Sequence, residues 1–265
     1  MVLIATIRGG LICARRSAPS RPLPLPPIFC DGKNTTAHHL SHSSTMADSK
    51  LRYVRAGKSD FDAVLRFTLE HFVRNEPISG AVGLTEQEGM TFIPEMLRKS
   101  LEKPTSTKVL NDNDELVAIV LASIAQRHPA TDHHSHSDQT ADLPENAAKI
   151  CSFLEHMEED IWKLVPKHCR NLIKLEIVSV RSDYTRKGIA NKLFNLDREI
   201  IRQFDCQGIV SVGTAYNSQQ LFLKLGYEVL KKTDHSDWLD SYGQPIFKCK
   251  DKTDCAMLVY KSLTD

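Results

Sequence analysis

The residues with the clearest chemical use lie between Arg181 and Asn191. The run Arg181-Ser182-Asp183-Tyr184-Thr185-Arg186-Lys187-Gly188-Ile189-Ala190 follows an apolar stretch, Leu172 to Val180, and leads into Leu193, Leu196 and Ile200 at helical spacing. Basic residues beside a glycine at a strand-to-helix junction suit a pyrophosphate. The amides that open a helix lack partners within it, and the helix dipole favours an anion there. Gly188 lets backbone come close to a ligand, and Arg186 and Lys187 can neutralise phosphate charge. The same segment also reads as a helix start whose basic side chains face water, and on its own it does not separate the two. It does exclude two nucleotide loops, because the chain contains neither GxxxxGK[ST] nor GxGxxG.

Such a loop needs a strand before it, a helix behind it and a sheet to hold both. In Leu172–Val180 the apolar residues fall at Ile173, Leu175 and Ile177, then slip phase to Val178 and Val180, the pattern of a β-bulge. Around it the chain alternates strand and helix signals. Leu51–Arg55 reads as a strand, and Ser59 can cap a helix whose stripe is Phe61, Val64, Leu65, Thr68, Leu69 and Phe72, stopped by Pro77. Thr85 and Glu88 form a capping box opening a second helix through Phe92, Met96 and Leu97. Lys108–Leu110 and Leu116–Ile124 flank Asn111-Asp112-Asn113-Asp114 as a hairpin. Ile150, Phe153, Leu154, Met157 and Ile161 give an amphipathic helix with Glu155, Glu158, Glu159 and Asp160 as its solvated face. Strands at 209–214, 227–231 and 255–260 and a helix at 218–225 complete a single α/β domain.

Three ordered segments then resemble one family. Thr185 to Ala190 is similar to the [QR]-x-x-G-x-[GA] loop of the GNAT acyltransferase superfamily, with Thr185 departing from the usual Gln or Arg. Phe72-Val73-Arg74-Asn75-Glu76-Pro77-Ile78 looks like the F-x-x-x-E-P-[LI] helix end of its insect-type arylalkylamine N-acetyltransferase branch. Gly213-Thr214-Ala215-Tyr216-Asn217-Ser218-Gln219 to Leu225-Gly226-Tyr227 resembles that branch's S-x-x-x-S segment ending in K-L-G-[FY]. The resemblance spans about Leu51 to Leu263 and implies a GNAT-like domain, a mixed, mostly antiparallel sheet with helices on both faces. It also implies an acetyl-CoA-dependent N-acetyltransferase acting on a small primary amine, an arylalkylamine, by direct attack in a ternary complex. Val178 and Val180 would offer strand backbone to the pantetheine. Arg186, Lys187, Gly188, Ile189, Ala190 and Asn191 would wrap the pyrophosphate. An amide near Val178 and Ser179 would meet the oxyanion.

An alkylamine is mostly ammonium near pH 7 and must lose a proton before it attacks a thioester. A buried carboxylate with a raised pKa can take that proton, and the resemblance assigns this to Glu76; read alone, Glu76 is also a surface glutamate before a proline. For the departing thiolate the resemblance offers the hydroxyls of Ser218 and Thr214, with Tyr216 as a third candidate, because Phe222 occupies the position where many relatives carry tyrosine. An acceptor pocket lined by aromatic residues would favour arylalkylamines, and one lined by carboxylates would favour polyamines; an amino acid or protein amine, or an acyl-CoA-binding module without turnover, are the further alternatives. Trp162 and Trp238 read equally as core or as pocket lining.

The rest of the sequence narrows the setting. The 265 residues carry 34 basic and 33 acidic side chains, a net charge of +1 that argues against nucleic acid or a membrane surface as partner. No apolar run is long enough to span a bilayer. Seven cysteines without a CxxC pair point to reduced thiols and no disulfide framework, and none sits in a nucleophile setting. His128, His133, His134 and His136 fall in a polar segment near 126–146 that reads as a mobile loop, so no metal is expected. Residues 1–48, acid-poor with prolines between Pro19 and Pro27, read as a disordered extension ahead of the 49–265 domain. The expectation is a cytoplasmic protein, with a mitochondrial transit peptide as the alternative.

Overall fold

The computed structural model describes residues 50–128, 142–194 and 198–263, together with a two-residue strand, β1 (Val2–Leu3). Seven further strands form one sheet: β2 (Arg52–Ala56), β3 (Ser106–Leu110), β4 (Leu116–Gln126), β5 (Asn171–Val180), β6 (Gly208–Gly213), β7 (Glu228–Asp234) and β8 (Cys255–Ser262). Their order is β2-β3-β4-β5-β6-β8-β7, antiparallel except for β5 against β6. The β3–β4 hairpin is fixed by Asn111, whose Oδ1 accepts from the amides of Asn113 (3.0 Å) and Glu115 (2.9 Å). β4 is buried along Val117–Ala122, as an apolar run covered on both faces must be.

Helices cover each face. On one side Ile119, Leu121 and Ile177 pack against α1 (Phe61–Phe67), α4 (Ile93–Ser100) and α5 (Glu145–Glu158). On the other, Val120, Leu175 and Val178 pack against α7 (Ile189–Leu193), α8 (Arg198–Gln203) and α9 (Tyr216–Lys224). The short helices α2 (Pro77–Val82), α3 (Glu86–Gly89) and α6 (Ile161–Leu164) complete the described chain.

A bulge is present, but it falls before Ile177 and not after it, so Ile177 already faces the side opposite Ile173 and Leu175. Leu121 pairs with Ile177 and Ala122 with Leu175, leaving Glu176 as the extra residue on β5. The Thr85–Glu88 capping box is also present. Elsewhere local chemistry redraws the expected elements. Ser59 does not cap α1: it lies inside a 3-10 turn, Lys58–Asp60, and Asp60 occupies the cap position. The helix expected from Thr85 to Leu97 is two helices, because Pro94 starts a new one and has no N–H to continue the old. The acidic face of α5 is not all solvated. Glu158 is buried against Lys174 at 2.7 Å, and Glu159 meets Lys231 at 3.0 Å. No helix among the described residues is long and apolar enough to cross a membrane. Most of the expected N-terminal extension and His133 to His136 lie outside the described residues.

Candidate active site

The centre of the sheet opens where β5 and β6 part. Their parallel pairing runs from Leu172–Gly208 to Leu175–Ser211 and stops, although β5 continues to Val180 and β6 to Gly213. Glu176, the bulged residue, sits at the point of parting. Beyond it the backbone of Ile177 and Val178 is paired by Leu3 and Val2. An opening at the carboxyl ends of two parallel strands is where open α/β sheets bind ligands. Val178, Ser179 and Val180 are buried, and the Ser179 hydroxyl has no hydrogen-bond partner among the described residues.

The loop after β5 is shaped by backbone. A 3-10 turn, Ser182–Tyr184, is closed by the Thr185 hydroxyl donating to the Ser182 carbonyl at 2.8 Å, so Thr185 is engaged locally. Arg186 (φ 61°) and Gly188 (φ 75°) then both adopt the left-handed conformation before α7 begins. Left-handed residues of this kind turn successive amides into an anion-binding concavity, and a non-glycine residue held there is itself unusual. Arg186, Lys187, Gly188 and Asn191 are exposed, while Ile189 is buried and Ala190 half-buried, anchoring the turn. The Lys187 ammonium lies 4.4 Å from the Tyr184 ring centroid. Arg181 is turned away from this role by Asp183, at 2.8 Å.

Glu76 lies at the end of β6, in hydrogen-bond contact with Thr214. The chain reaches it through a π-helical turn, Thr68–Val73, at whose start the Thr68 hydroxyl donates to the Val64 carbonyl at 2.7 Å; such turns recur at functional sites. Pro77 then does more than end that helix. It is the first residue of α2, which makes Glu76 the N-cap of the next helix. The Glu76 carboxylate accepts from the Ile78 amide (3.1 Å), the Ser79 amide (2.5 Å) and the Thr214 hydroxyl (3.1 Å), and the residue is 1% exposed. Burial pushes its carboxyl up to about 7, against hydrogen bonds from Ser79, Ile78 and Thr214 that pull it down. Desolvation wins here over a helix N-terminus, which by itself would favour the charged form.

The structure joins Glu76 to Thr214, which follows the end of β6. It does not join Ser218 to either of them, because the buried Ser218 hydroxyl donates to the Ala215 carbonyl at 2.6 Å. Tyr216 is exposed, and its amide donates to Thr253 Oγ1 at 2.9 Å. Gln219 fixes this end of the sheet: its buried amide donates to the carbonyls of Gly213 (3.0 Å) and Cys255 (2.7 Å). Phe222 is core, edge-on to Phe194 and Tyr227.

A group of which the sequence reading names only Trp238, as core or pocket lining, and Phe153, as part of a helix stripe, comes together at the segment between β7 and β8. Phe153 of α5 packs against Trp238 (ring centroids 5.2 Å apart), Phe247 (4.8 Å) and His235 (5.9 Å). His235 Nδ1 is 3.7 Å from Cys249 Sγ. Burial, then the negative charge of Glu76, pushes that thiol up to about 12. His235 and Phe247 also line a cavity of about 540 Å³ that Thr253 borders. The signal available in sequence was an aromatic and histidine spacing inside a segment with no strand or helix period.

No protein-family model matches this chain, and no curated protein matches its sequence. Solved structures do. Arylalkylamine N-acetyltransferase 2 from Aedes aegypti superposes with a TM-score of 0.68 at 19% identity, covering 81% of this chain and 99% of that one. A Drosophila melanogaster polyamine N-acetyltransferase, which forms N-acetylagmatine, gives 0.66 at 16% identity, covering 81% and 100%. The C-terminal condensation domain of Ebony, solved with beta-alanyl-dopamine, gives 0.62 at 16% identity, covering 81% and 100%. The chain therefore has the GNAT acetyltransferase fold, in a form that resembles the insect arylalkylamine N-acetyltransferases.

Proposed function

We propose that the protein is an acetyl-CoA-dependent N-acetyltransferase of small primary amines, with an arylalkylamine as acceptor. The observation that carries this reading is Glu76: a buried carboxyl near neutrality, hydrogen-bonded to Thr214 beside the parting of β5 and β6. The pantetheine would run along Val178, Ser179 and Val180, displacing the short pairing with Val2–Leu3. The pyrophosphate would lie on the amides around Gly188 and Ile189, between Arg186, Lys187, Ala190 and Asn191. No metal is required.

The chemistry balances without an enzyme-bound intermediate. Glu76 takes a proton from the ammonium, directly or through a water, and the amine nitrogen attacks the thioester carbonyl carbon. The oxyanion is met by an amide at the bulge near Val178 and Ser179. Collapse breaks the C–S bond, and the CoA thiolate needs a proton. Thr214 already donates to Glu76, so it can pass its proton to the thiolate and recover one from protonated Glu76. Ser218 would have to give up its bond to Ala215 to do the same. Cysteine catalysis is disfavoured, because burial pushes Cys206 and Cys255 up to about 11 and Cys249 up to about 12.

An aromatic acceptor is supported by Phe247, which lines the cavity and packs on the buried Phe153. That cavity has no excess of acid: Asp234 and Asp254 are matched by Lys232 and Lys248. The test is CoA-thiol release by the purified full chain with acetyl-CoA and phenylethylamines, tryptamines, polyamines or amino acids. Turnover with arylalkylamines is expected. Turnover with polyamines alone would overturn the acceptor, and acetyl-CoA binding with no turnover of any amine would overturn the activity.

A further inference from the structure

The bulge in β5 is held by side chains as well as by backbone. Glu176, the extra residue, is 5% exposed, and its Oε1 accepts from the Ser123 hydroxyl of β4 at 2.6 Å. Its Oε2 makes no hydrogen bond among the described residues, and Lys174 Nζ stands 3.9 Å from it. Lys174 in turn donates to Glu158 of α5 at 2.7 Å. A largely buried run of polar side chains, Ser123, Glu176, Lys174 and Glu158, therefore ties the bulge to β4 and to α5. Stability alone is a poor account of it. Two carboxylates buried around one ammonium cost desolvation that their pairing only partly offsets, and apolar side chains of similar volume often hold a fold as well.

What the run does hold is the phase of β5. Before the bulge, odd-numbered residues turn their backbone groups to β6: the Gln207 amide donates to the Asn171 carbonyl at 3.0 Å, and the Ser211 hydroxyl to the Leu175 carbonyl at 3.5 Å. After it they turn to β4, where the Arg181 amide donates to the Val117 carbonyl at 2.9 Å. Backbone direction alternates along a strand, so the amides of Ile177 and Ser179 share the direction of Arg181, and those of Val178 and Val180 face the opening. A bulge two residues further on would present the Ile177 amide there and leave Val178 turned to β4.

We infer that Ser123 and Glu176 are positioning residues: by clamping the bulge at residue 176 they aim the Val178 amide at the thioester oxygen. This rests on the acetyltransferase reading above and adds to it two side chains that act only through backbone.

The experiment uses the full-length protein, Ser123→Ala, which removes the clamping hydroxyl, and Ser123→Thr, which keeps one. With the amine that the panel identifies, Ser123→Ala should lower kcat by about 5- to 50-fold, less than outright loss of an oxyanion donor, because the amide stays and only its aim is lost. The acetyl-CoA dissociation constant should stay within about twofold, since the pyrophosphate loop is untouched. Ser123→Thr should return kcat to within about threefold of wild type. In a Glu176→Ala background the serine substitution should cost no more than about twofold further, because the contact is already gone. Infrared difference spectra of bound acetyl-CoA, isotope-labelled at the thioester carbonyl, read the same contact without an amine. The stretch should lie lower in wild type and Ser123→Thr than in Ser123→Ala. An unchanged kcat in Ser123→Ala, a loss that threonine does not restore, losses that multiply in the double variant, or one stretch in all three proteins would each overturn the clamp. A wild type that binds acetyl-CoA and turns over no amine would sink the acetyltransferase reading instead, and the stretch would still decide the clamp.

Discussion

The loop from Arg181 to Asn191 is contiguous and largely exposed, whereas Glu76 and Thr214 are buried and lie 138 residues apart in sequence. The two regions make opposite use of water. An anion-binding loop works with backbone amides and side chains that solvent already reaches, and it needs only the right φ angles at Arg186 and Gly188. A general base for an alkylamine must be destabilised as an anion, and only a folded interior can do that. The site therefore divides into a locally coded half and a half that exists only once β6, α2 and the π-helical turn have come together.

Glu76→Gln tests that division with the largest expected effect. The side chain keeps its size and one acceptor for the α2 amides but cannot take a proton. We expect kcat to fall by about 10²- to 10⁴-fold, the range of general-base contributions. The acetyl-CoA dissociation constant should stay within about twofold by calorimetry, because the loop does not depend on Glu76. Parallel losses in both quantities would show that the halves are not independent.

The pH dependence separates the halves further. With Glu76 near 7, kcat/KM should rise about tenfold per pH unit up to an acid limb near 7, and that limb should vanish in Glu76→Gln. Stability must change with the opposite sign. The folded carboxyl binds its proton more tightly than the unfolded one, so between about 4.5 and 7 the native state holds more protons. Its contribution favours folding at low pH and is lost as pH rises through that window, by up to about 3 kcal/mol. Melting curves of wild type and Glu76→Gln at pH 5.5 and pH 8 should show the variant gaining relative stability at the higher pH. A constant difference would mean that Glu76 is an ordinary carboxylate.

How much of this could be read from the sequence follows the same division. The phase slip in β5, the glycine at 188 and the helical spacing beyond it are local facts, and the structure has the turn they imply and a bulge at Glu176, ahead of where the spacing alone puts it. Glu76 is picked out by resemblance, and the burial beside Thr214 on which its proposed role rests depends on packing that no spacing encodes. Pro77 ends the preceding stripe as the sequence implies, but its second role is not legible there. A proline ends one helix and opens another equally well, and only tertiary contacts decide that Glu76 caps α2. Lys174 and Glu158 were hidden because each looks solvated until the other is placed 2.7 Å away. Trp238 reads from the sequence as core or pocket lining without deciding between them, and His235 and Phe247 have no periodic element to flag them.

Gly188→Ala probes the local half with a smaller effect. A methyl at this position meets nothing within 4 Å, so any change comes from the positive φ alone. That conformation costs a non-glycine residue about 1–2 kcal/mol. If the loop must hold it to cradle the pyrophosphate, acetyl-CoA should bind about 5- to 30-fold more weakly. The kcat at saturation and the acid limb near 7 should be unchanged. A shifted limb would show that the loop's geometry reaches Glu76 after all.

Thr214→Val carries the smallest expected effect and joins the two comparisons. Valine matches threonine in shape and removes only the hydroxyl that donates to Glu76 at 3.1 Å. That hydrogen bond favours the charged carboxylate, so without it the acid limb of kcat/KM should move upward, by less than one unit. If Thr214 only tunes the base, kcat on the alkaline plateau should stay within about threefold. If it also carries the proton to the departing thiolate, the plateau should fall about tenfold or more, and the loss should shrink with an acetyl thioester whose thiol is more acidic and leaves without help. The limb and the plateau are read from one titration, so tuning and proton delivery can be told apart in a single variant.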